Sequence, residues 1–325
     1  MKRGNMHTYN ENLLPYQVGG LLYTPALNTG IVKKILEGSY PGLTSLAFCL
    51  EDSIQDASLE EAQKQLKQSL NAIKRSGVAT PLLFVRVRTP GHMDQIHHML
   101  AEDEAVLTGY VLPKFDLSNG PDYVKLADAY NKSRPDRLFI MPILESRPVA
   151  DIGSRVEVLW KIKGLLDTVK PYVLNIRVGG NDFSNMYGLR RKVDQNIYEI
   201  GVIRDILVNI INVFASDYVV SGPVWEYFGD DPGGSWAAGL RKEIELDLLN
   251  GFFGKTAIHP SQLPVIFDSL KVSRADYEDA RSILHWGEDG LAVAKSADGG
   301  RMNEVKCHGK WAGQILTRAA AYGVR

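Results

Sequence analysis

The feature of this sequence that most constrains its fold is the alternation of short apolar runs with longer amphipathic segments. From residue 20 onward, runs rich in β-branched and aromatic residues alternate with segments whose apolar residues recur three and four positions apart. This alternation is typical of a parallel sheet whose strands are joined by helices. Strands are predicted at 20–24, 45–50, 82–87, 110–113, 138–144, 172–178, 218–221 and 256–258. Helices are predicted at 58–75, 121–131, 156–168, 198–214 and 236–250.

Eight strand and helix units predict an α/β protein of the closed (β/α)8 barrel type, the TIM barrel. An open doubly wound sheet is the alternative, but its nucleotide site usually follows an early strand as a Gly-rich turn, and no early turn here has that character. We expect an N-terminal segment at 1–19, the barrel at 20–270 and a C-terminal helical extension at 271–325. Within the extension, helix is predicted at 274–294 and again at 309–322.

Composition limits the partners of this chain. Its 325 residues carry 37 Lys and Arg against 38 Asp and Glu, so no overall positive field attracts nucleic acid or anionic lipid. No apolar run approaches the roughly 18 residues that cross a bilayer, and residues 1–12 are too polar for the core of a secretory signal. We therefore expect a cytoplasmic protein that acts on a small molecule, without nucleic acid or membrane partners.

Ionisable residues follow most of the predicted strands, at the barrel end where active sites of this fold lie. Converging carboxylates repel one another unless a cation or basic side chains compensate them. Glu145 and Asp182 offer hard oxygen ligands without a Cys or His cluster nearby, which favours Mg²⁺. The residues at these ends are Glu51, Asp52, Arg86, Arg88, Lys114, Glu145, Arg147, Asp182 and His259.

The strand ends also form a recognisable series of short segments. They are Leu-Tyr-Thr-Pro at 22–25, Leu-Glu-Asp at 50–52, Val-Arg-Val at 85–87, Leu-Pro-Lys at 112–114, Pro-Ile-Leu-Glu-Ser at 142–146, Gly-Gly-Asn-Asp at 179–182 and Gly-Lys-Thr-Ala-Ile-His-Pro at 254–260. In order and spacing they resemble the citrate lyase beta-subunit and malyl-CoA lyase family of metal-dependent carbon–carbon lyases, over about residues 20–323. More narrowly, the chain resembles the lyases encoded with bacterial tellurium-resistance and stress-response clusters.

This resemblance implies a (β/α)8 barrel in which Glu145 and Asp182 hold Mg²⁺, or Mn²⁺, and Arg86 binds a carboxylate or carbonyl of the substrate. Glu51 and Asp52 then either support the residues that bind metal and substrate or act as acid–base groups. The implied reaction cleaves or joins a carbon–carbon bond of a small oxo acid or hydroxy-acyl compound through a metal-chelated enolate. Two alternatives are an acyl-thioester hydrolase at the same site and an inactive barrel that serves as a scaffold or ligand sensor.

Lys114 leaves a second mechanism open. An amine at the end of a strand acts as a Schiff-base nucleophile if burial and neighbouring cations depress its pKa. Such an enzyme does not need Glu145 and Asp182 to converge, and the resemblance favours the metal. Lys114 otherwise supports the catalytic carboxylates or pairs with them.

Four further residues are expected to contact substrate. Arg88 suits a substrate with an extra carboxylate or phosphate, although an outward salt bridge is equally consistent with the sequence. Gly179 and Gly180 allow close backbone approach to metal or substrate, or form a plain tight turn. His259 lies over the substrate or caps the helix that follows it. The basic stretch at 188–192 either clamps an anionic group or forms a solvated loop.

The resemblance also bears on the acyl carrier and on assembly. Residues 16–18 are Tyr-Gln-Val, where CoA-using relatives often carry arginines, so use of a CoA thioester stays open. The segment Gly-Arg-Met-Asn-Glu at 300–304 is similar to one that covers a neighbouring subunit's active site in relatives. This similarity implies a homo-oligomer, a trimer or hexamer, in which Glu304 acts in trans. Glu304 is otherwise a residue at a helix start.

Overall fold

The computed structural model describes residues 12–285, 293–296 and 299–325. The chain divides into two compact units: the first is Val18–Ile266, and the second combines the described residues up to Gln17 with Phe267–Arg325. The strands are β1 Gly20–Pro25, β2 Ser45–Cys49, β3 Leu82–Arg86, β4 Gly109–Leu112, β5 Phe139–Leu144, β6 Arg177–Val178, β7 Lys255–Ala257, β8 Val293–Lys295 and β9 Met302–Glu304. The helices are α1 Leu14–Gln17, α2 Gly30–Leu36, α3 Leu59–Ser76, α4 Pro90–Leu100, α5 Gly120–Lys132, α6 Arg147–Ala150, α7 Arg155–Asp167, α8 Gly180–Met186, α9 Gly201–Phe214, α10 Ser235–Leu249, α11 Gln262–Ser269, α12 Arg274–Leu284 and α13 Val305–Tyr322.

The first unit is a parallel barrel, which confirms the predicted fold class. Seven strands pair in the order β6-β5-β4-β3-β2-β1-β7. Isolated bridges from Ile176 to Val220 and from Gly222 to Lys255 join the two edges of this sheet. The segment predicted as a strand at 218–221 therefore occupies the remaining position as bridges instead of a regular strand. Pro223 follows Gly222 directly and has no N–H to extend the ladder.

Helix α3 shows how the sequence covers the outside of the barrel. Its residues Ala62, Leu66, Leu70 and Ile73 recur three and four apart and are buried. The helix ends at Gly77, whose φ of 63° is a left-handed conformation that glycine adopts without steric cost. Within the described ranges, no helix combines the length and apolarity that crossing a membrane requires.

The second unit differs in part from its predicted helices. Helix α12 ends at Leu284, and residues 286–292 of the predicted helix lie outside the described residues. Val293–Lys295 is not helical but pairs antiparallel with Met302–Glu304, so the helix predicted through residue 294 is wrong there. Each residue of β8 pairs with one of β9, and this pairing outweighs the local helical pattern of so short a segment. Helix α13 begins at Val305, directly after Glu304.

Lys255 forms a buried ion cluster between the barrel and its outer helices. Its ammonium donates to Glu243 Oε1 at 2.9 Å and Asp247 Oδ2 at 2.6 Å, and all three side chains are almost fully buried. Tyr198 donates to the other oxygen of Asp247 at 2.7 Å. Burial raises the pKa of Asp247 to about 6 although the Lys255 charge opposes this shift. The cluster joins β7 to α10.

We expect Lys255→Met to lower the free energy of unfolding by about 3–5 kcal/mol, because it leaves buried Asp247 without a cation and Glu243 with Arg191 alone. The measurement is urea denaturation at pH 7. Lys64→Met is the control, since Lys64 forms an exposed pair with Glu60 and its loss is expected to cost less than about 0.5 kcal/mol. Equal losses in the two variants would contradict this role of the buried cluster.

Candidate metal and substrate site

Two carboxylates meet at the barrel end formed by β5 and β6. Glu145 follows the last residue of β5, and Asp182 lies in the first turn of α8. Gly179 lies between them: a Cβ at this position would collide with Glu145 Oε2 and lie 3.0 Å from Asp182 Oδ2. Only glycine therefore leaves room for this pair of side chains.

The electrostatics of the pair fit a hard divalent cation. Burial and the negative charge of Asp182 raise the pKa of Glu145 from its ordinary 4.5 to about 8. Glu145 also accepts a hydrogen bond from the backbone N–H of Lys114 at 2.9 Å. Among the described residues no group of three or more His, Cys, Asp or Glu gathers to hold a metal. Two carboxylates alone suit Mg²⁺, which commonly completes its octahedron with waters and substrate oxygens.

A second cluster joins the ends of β2, β3 and β4. Arg86 forms ion pairs with Glu51 and, at 2.5 Å, with Asp52. Lys114 Nζ lies 2.5 Å from Glu51 Oε1 and 3.4 Å from Asp52 Oδ1. Lys114 has a φ of 49°, rare for a residue with a side chain. It therefore contacts the Glu145 carboxylate through its backbone and the second cluster through its side chain.

Glu51 and Asp52 differ in the direction of their pKa shifts. Burial raises the pKa of Glu51, opposed by the charge of Arg86. In Asp52 burial acts in the same direction, but the hydrogen bond with Glu51 and the charge of Arg86 outweigh it and lower the pKa. The Asp52 side chain is also about half exposed, at 55%, against 10% for Glu51. Asp52 is thus ionised at neutral pH and is the more open of the two to a ligand.

Lys114 has the electrostatics of a cation rather than of a nucleophile. Partial burial acts to lower the pKa of its amine. The hydrogen bond and negative charge of Glu51 outweigh burial, so the pKa is raised. A protonated amine does not attack a carbonyl, so this environment disfavours the Schiff-base mechanism.

Arg88 contacts the loop that carries Glu51 and Asp52. Its guanidinium donates to Leu50 O at 2.7 Å and Ile54 O at 2.5 Å, and it forms an ion pair with Asp56. These contacts occupy its Nε and both Nη groups. Arg88 thus holds the 50–56 loop in place, and its expected contact with substrate stays a prediction.

Gly180 and His259 each have structural contacts of their own. A Cβ at Gly180 would lie 2.7 Å from both Ile197 and Pro223, so packing explains this glycine. The His259 ring stacks on Phe228 with centroids 4.4 Å apart, and its Nδ1 lies 2.9 Å from Ser261 Oγ. Roles of Gly180 and His259 in substrate binding stay predictions.

The basic stretch at 188–192 contributes a buried anchor. Arg191 is 2% exposed, donates to Val224 O and lies 3.4 Å from Glu243. Its charge is therefore engaged inside the protein. Arg190 is exposed and pairs with Glu226 at 3.3 Å.

Sequence reasoning missed a polar group inside the barrel. Arg177 of β6 is 1% exposed and donates to Thr256 Oγ1 at 2.7 Å and Ser221 Oγ at 3.3 Å. Tyr23 of β1 lies close enough to act on the pKa of this guanidinium, which burial lowers and the tyrosine opposes. The available signal was a charged residue inside an apolar strand, two positions before Gly179 and on the same face of the strand.

Comparisons with known proteins agree with this architecture. A family model described as a C–C bond lyase of the TIM-barrel fold matches residues 12–324. A citrate lyase from Burkholderia xenovorans LB400 has a TM-score of 0.70 at 14% identity, covering 94% of this chain and 92% of that chain. CitE from Mycobacterium tuberculosis, in complex with magnesium, acetoacetate and coenzyme A, has a TM-score of 0.59 at 19% identity, covering 94% of this chain and 99% of that chain. RipC from Yersinia pestis has a TM-score of 0.55 at 19% identity, covering 78% of this chain and 95% of that chain. No curated protein matches this chain.

We expect Gly179→Ala to lower the free energy of unfolding by about 1–3 kcal/mol, because the added methyl forces Glu145 and Asp182 apart. Gly164→Ala in α7 is the matched control, since a Cβ there meets open space. That helical substitution is expected to add about 0.5–1 kcal/mol. Urea denaturation measures both, and a Gly179→Ala protein as stable as wild type would contradict the close approach.

The raised pKa of Glu145 predicts that the metal-free protein loses stability as pH rises from about 5 to 8. The unfolded chain releases this proton near 4.5, whereas the folded protein retains it until about 8. The stabilisation that the protonated carboxyl provides is therefore fully present below pH 4.5 and is lost as the pH rises to about 8. Calorimetric melting of chelator-treated wild type and Glu145→Gln measures the effect. The melting temperature of Glu145→Gln should fall less with pH, and identical slopes would refute the shift.

Proposed function

This chain belongs to the C–C bond lyases of the TIM-barrel fold, and we propose that it is a Mg²⁺-dependent lyase that cleaves or joins a carbon–carbon bond of a small oxo acid or hydroxy-acyl compound. The observation that carries the proposal is the pairing of Glu145 and Asp182 across Gly179, with Glu145 destabilised as an anion until a cation compensates it. When bound, Mg²⁺ would act as a Lewis acid: the oxo acid would chelate it, and the ion would stabilise negative charge on the oxo-acid oxygens.

The neighbouring side chains divide the remaining tasks. Arg86 is the anchor for a substrate carboxylate or carbonyl, because its guanidinium is fixed at the barrel end by Glu51 and Asp52. Asp52, ionised and half exposed, is the general base that takes a hydroxyl proton before the carbon–carbon bond breaks. Glu51 and Lys114 hold Asp52 and Arg86 in this arrangement.

Solved neighbours supply the probes with which to test this site. CitE from Mycobacterium tuberculosis has been solved with magnesium and pyruvate, and its beta-subunit structure with oxaloacetate and magnesium, each with a TM-score of 0.50 and 19% identity to this chain. Another CitE complex also contains coenzyme A. We propose the same class of small oxo acids for this chain. We leave the acyl carrier open, and we propose a trimeric or hexameric assembly in which Glu304 serves a neighbouring site.

We expect the chelator-treated protein to bind Mg²⁺ in the presence of oxaloacetate or pyruvate, and Asp182→Asn or Glu145→Gln to lose at least about tenfold in affinity. Isothermal titration calorimetry with Mg²⁺ measures this. Asp205→Asn is the control variant, because Asp205 is an acid of α9 that pairs with Arg155 outside the site.

Three outcomes are informative. Metal-dependent oxo-acid binding that both site variants lose supports the proposal, and product analysis then separates a lyase from a thioester hydrolase. Binding retained in both variants contradicts the assignment of Glu145 and Asp182. Absence of binding in wild type favours the scaffold or sensor alternative.

A further inference from the structure

Four exposed apolar side chains lie on two neighbouring helices of the outer layer of the barrel. On α7, Val156 and Trp160 are about one turn apart, and each is 53% exposed. Ile152 lies just before this helix and is 81% exposed. On α9, Val208 is 51% exposed. These four side chains are called the α7–α9 strip below.

An ion pair between the two helices fixes how the members of the strip lie relative to one another. Arg155 of α7 donates to Asp205 of α9 at 2.5 Å. Val156 follows Arg155 in the chain, and Val208 lies three residues, about one turn, beyond Asp205. Helices that follow successive strands of a barrel run in the same direction. Val208 therefore lies beside the stretch of α7 that carries Val156 and Trp160.

The strip is not needed to pack α7 on the barrel. Leu159, Ile162 and Leu166 already provide the buried face of this helix. A surface helix of a globular protein ordinarily presents polar residues outside its buried face, and contiguous exposed apolar side chains mark interaction surfaces. Tryptophan is also among the residues that most often provide the binding energy of an interface. We therefore expect another molecule to cover Trp160 and its neighbours.

The charges beside the strip indicate which molecule covers it. Glu157 and Lys161 are exposed, follow Val156 and Trp160 in the chain, and pair with each other at 2.5 Å. A second α7 that runs in the opposite direction would place its lysine near Glu157 and its glutamate near Lys161. The same reversal would place the Trp160 of one helix near the Val156 of the other. The strip and its charges are thus complementary to themselves, as an isologous two-fold interface requires.

We propose that the α7–α9 strip binds the same strip of a second copy of this chain across a two-fold axis, with the two α7 helices antiparallel. The apolar side chains form the centre of the contact, and Glu157 and Lys161 form ion pairs at its edge. One strip is at the small end of stable interfaces, so we expect association in the micromolar range. The contact doubles whatever assembly the rest of the chain forms: a monomer becomes a dimer, and a trimer becomes a hexamer.

The first experiment measures the mass of the full chain by sedimentation equilibrium between about 2 and 200 µM. Wild type is expected to double in mass over this range. Trp160→Glu is expected to weaken the association at least about tenfold, because it places a charge against the apolar side chains of the second copy. Leu249→Glu is the matched control, since Leu249 is 80% exposed at the end of α10 and outside the strip. Its effect should be less than about twofold.

The second experiment tests the antiparallel arrangement through the charges. Glu157→Lys would place lysines near one another at both edges of the contact and is expected to weaken association about fivefold or more. Adding Lys161→Glu to this variant exchanges the two charges and should restore the affinity to within about twofold of wild type. Both side chains are largely exposed, so these variants are expected to fold even if Trp160→Glu does not. Glu60→Lys is the control, because Glu60 forms an equivalent exposed pair with Lys64 on α3.

Neither experiment uses metal or substrate, so its failure leaves the proposed function untouched. Association that Trp160→Glu and Glu157→Lys weaken, and that the charge exchange restores, supports the two-fold contact. Equal masses of wild type, Trp160→Glu and Glu157→Lys at every concentration overturn it. Association that Glu157→Lys weakens but the exchange does not restore overturns the antiparallel pairing of the two helices.

Discussion

The close approach of Glu145 and Asp182 across Gly179 is the constraint on which the rest of the barrel end depends. Two carboxylates this close do not both ionise without compensation, which raises the pKa of Glu145 to about 8. The backbone N–H of Lys114 fixes one Glu145 oxygen, and the Lys114 side chain reaches Glu51. One residue in a left-handed conformation thus links the carboxylate pair to the acid–base cluster.

Charge balance explains how such a site would select its ligand. At pH 7 without metal, the protonated Glu145 leaves three ionised carboxylates of the barrel end against three cations, whereas a divalent ion that displaces this proton would make the end net positive and favour an anionic substrate. Binding of the cation would therefore strengthen the later binding of the acid. The groups involved are Glu51, Asp52, Glu145 and Asp182 with Arg86, Lys114 and Arg177.

The sequence predicts the barrel and the positions of its ionisable strand ends, because period and strand direction alone determine which residues reach that end. It does not predict where a side chain points once the strand has ended. Arg86 and Arg88 have the same parity, but β3 ends at Arg86, so the chain turns and Arg88 binds a loop instead of the interior. The C-terminal hairpin was missed for a related reason: strand pairing decided the structure of a three-residue segment, Val293–Lys295, that local pattern assigns to a helix.

Two fully buried cations of the barrel differ in how the fold compensates their charge. Lys255 and Arg177 lie on strands near the same closing seam, and sequence alone treats both as charges in apolar runs. Lys255 turns outward and is matched by Glu243 and Asp247, so its charge is satisfied within the fold. Arg177 turns inward and meets hydroxyls. The same sequence signal therefore marks one cation that stabilises the fold through Glu243 and Asp247, and another whose buried charge meets only neutral partners and opposes stability.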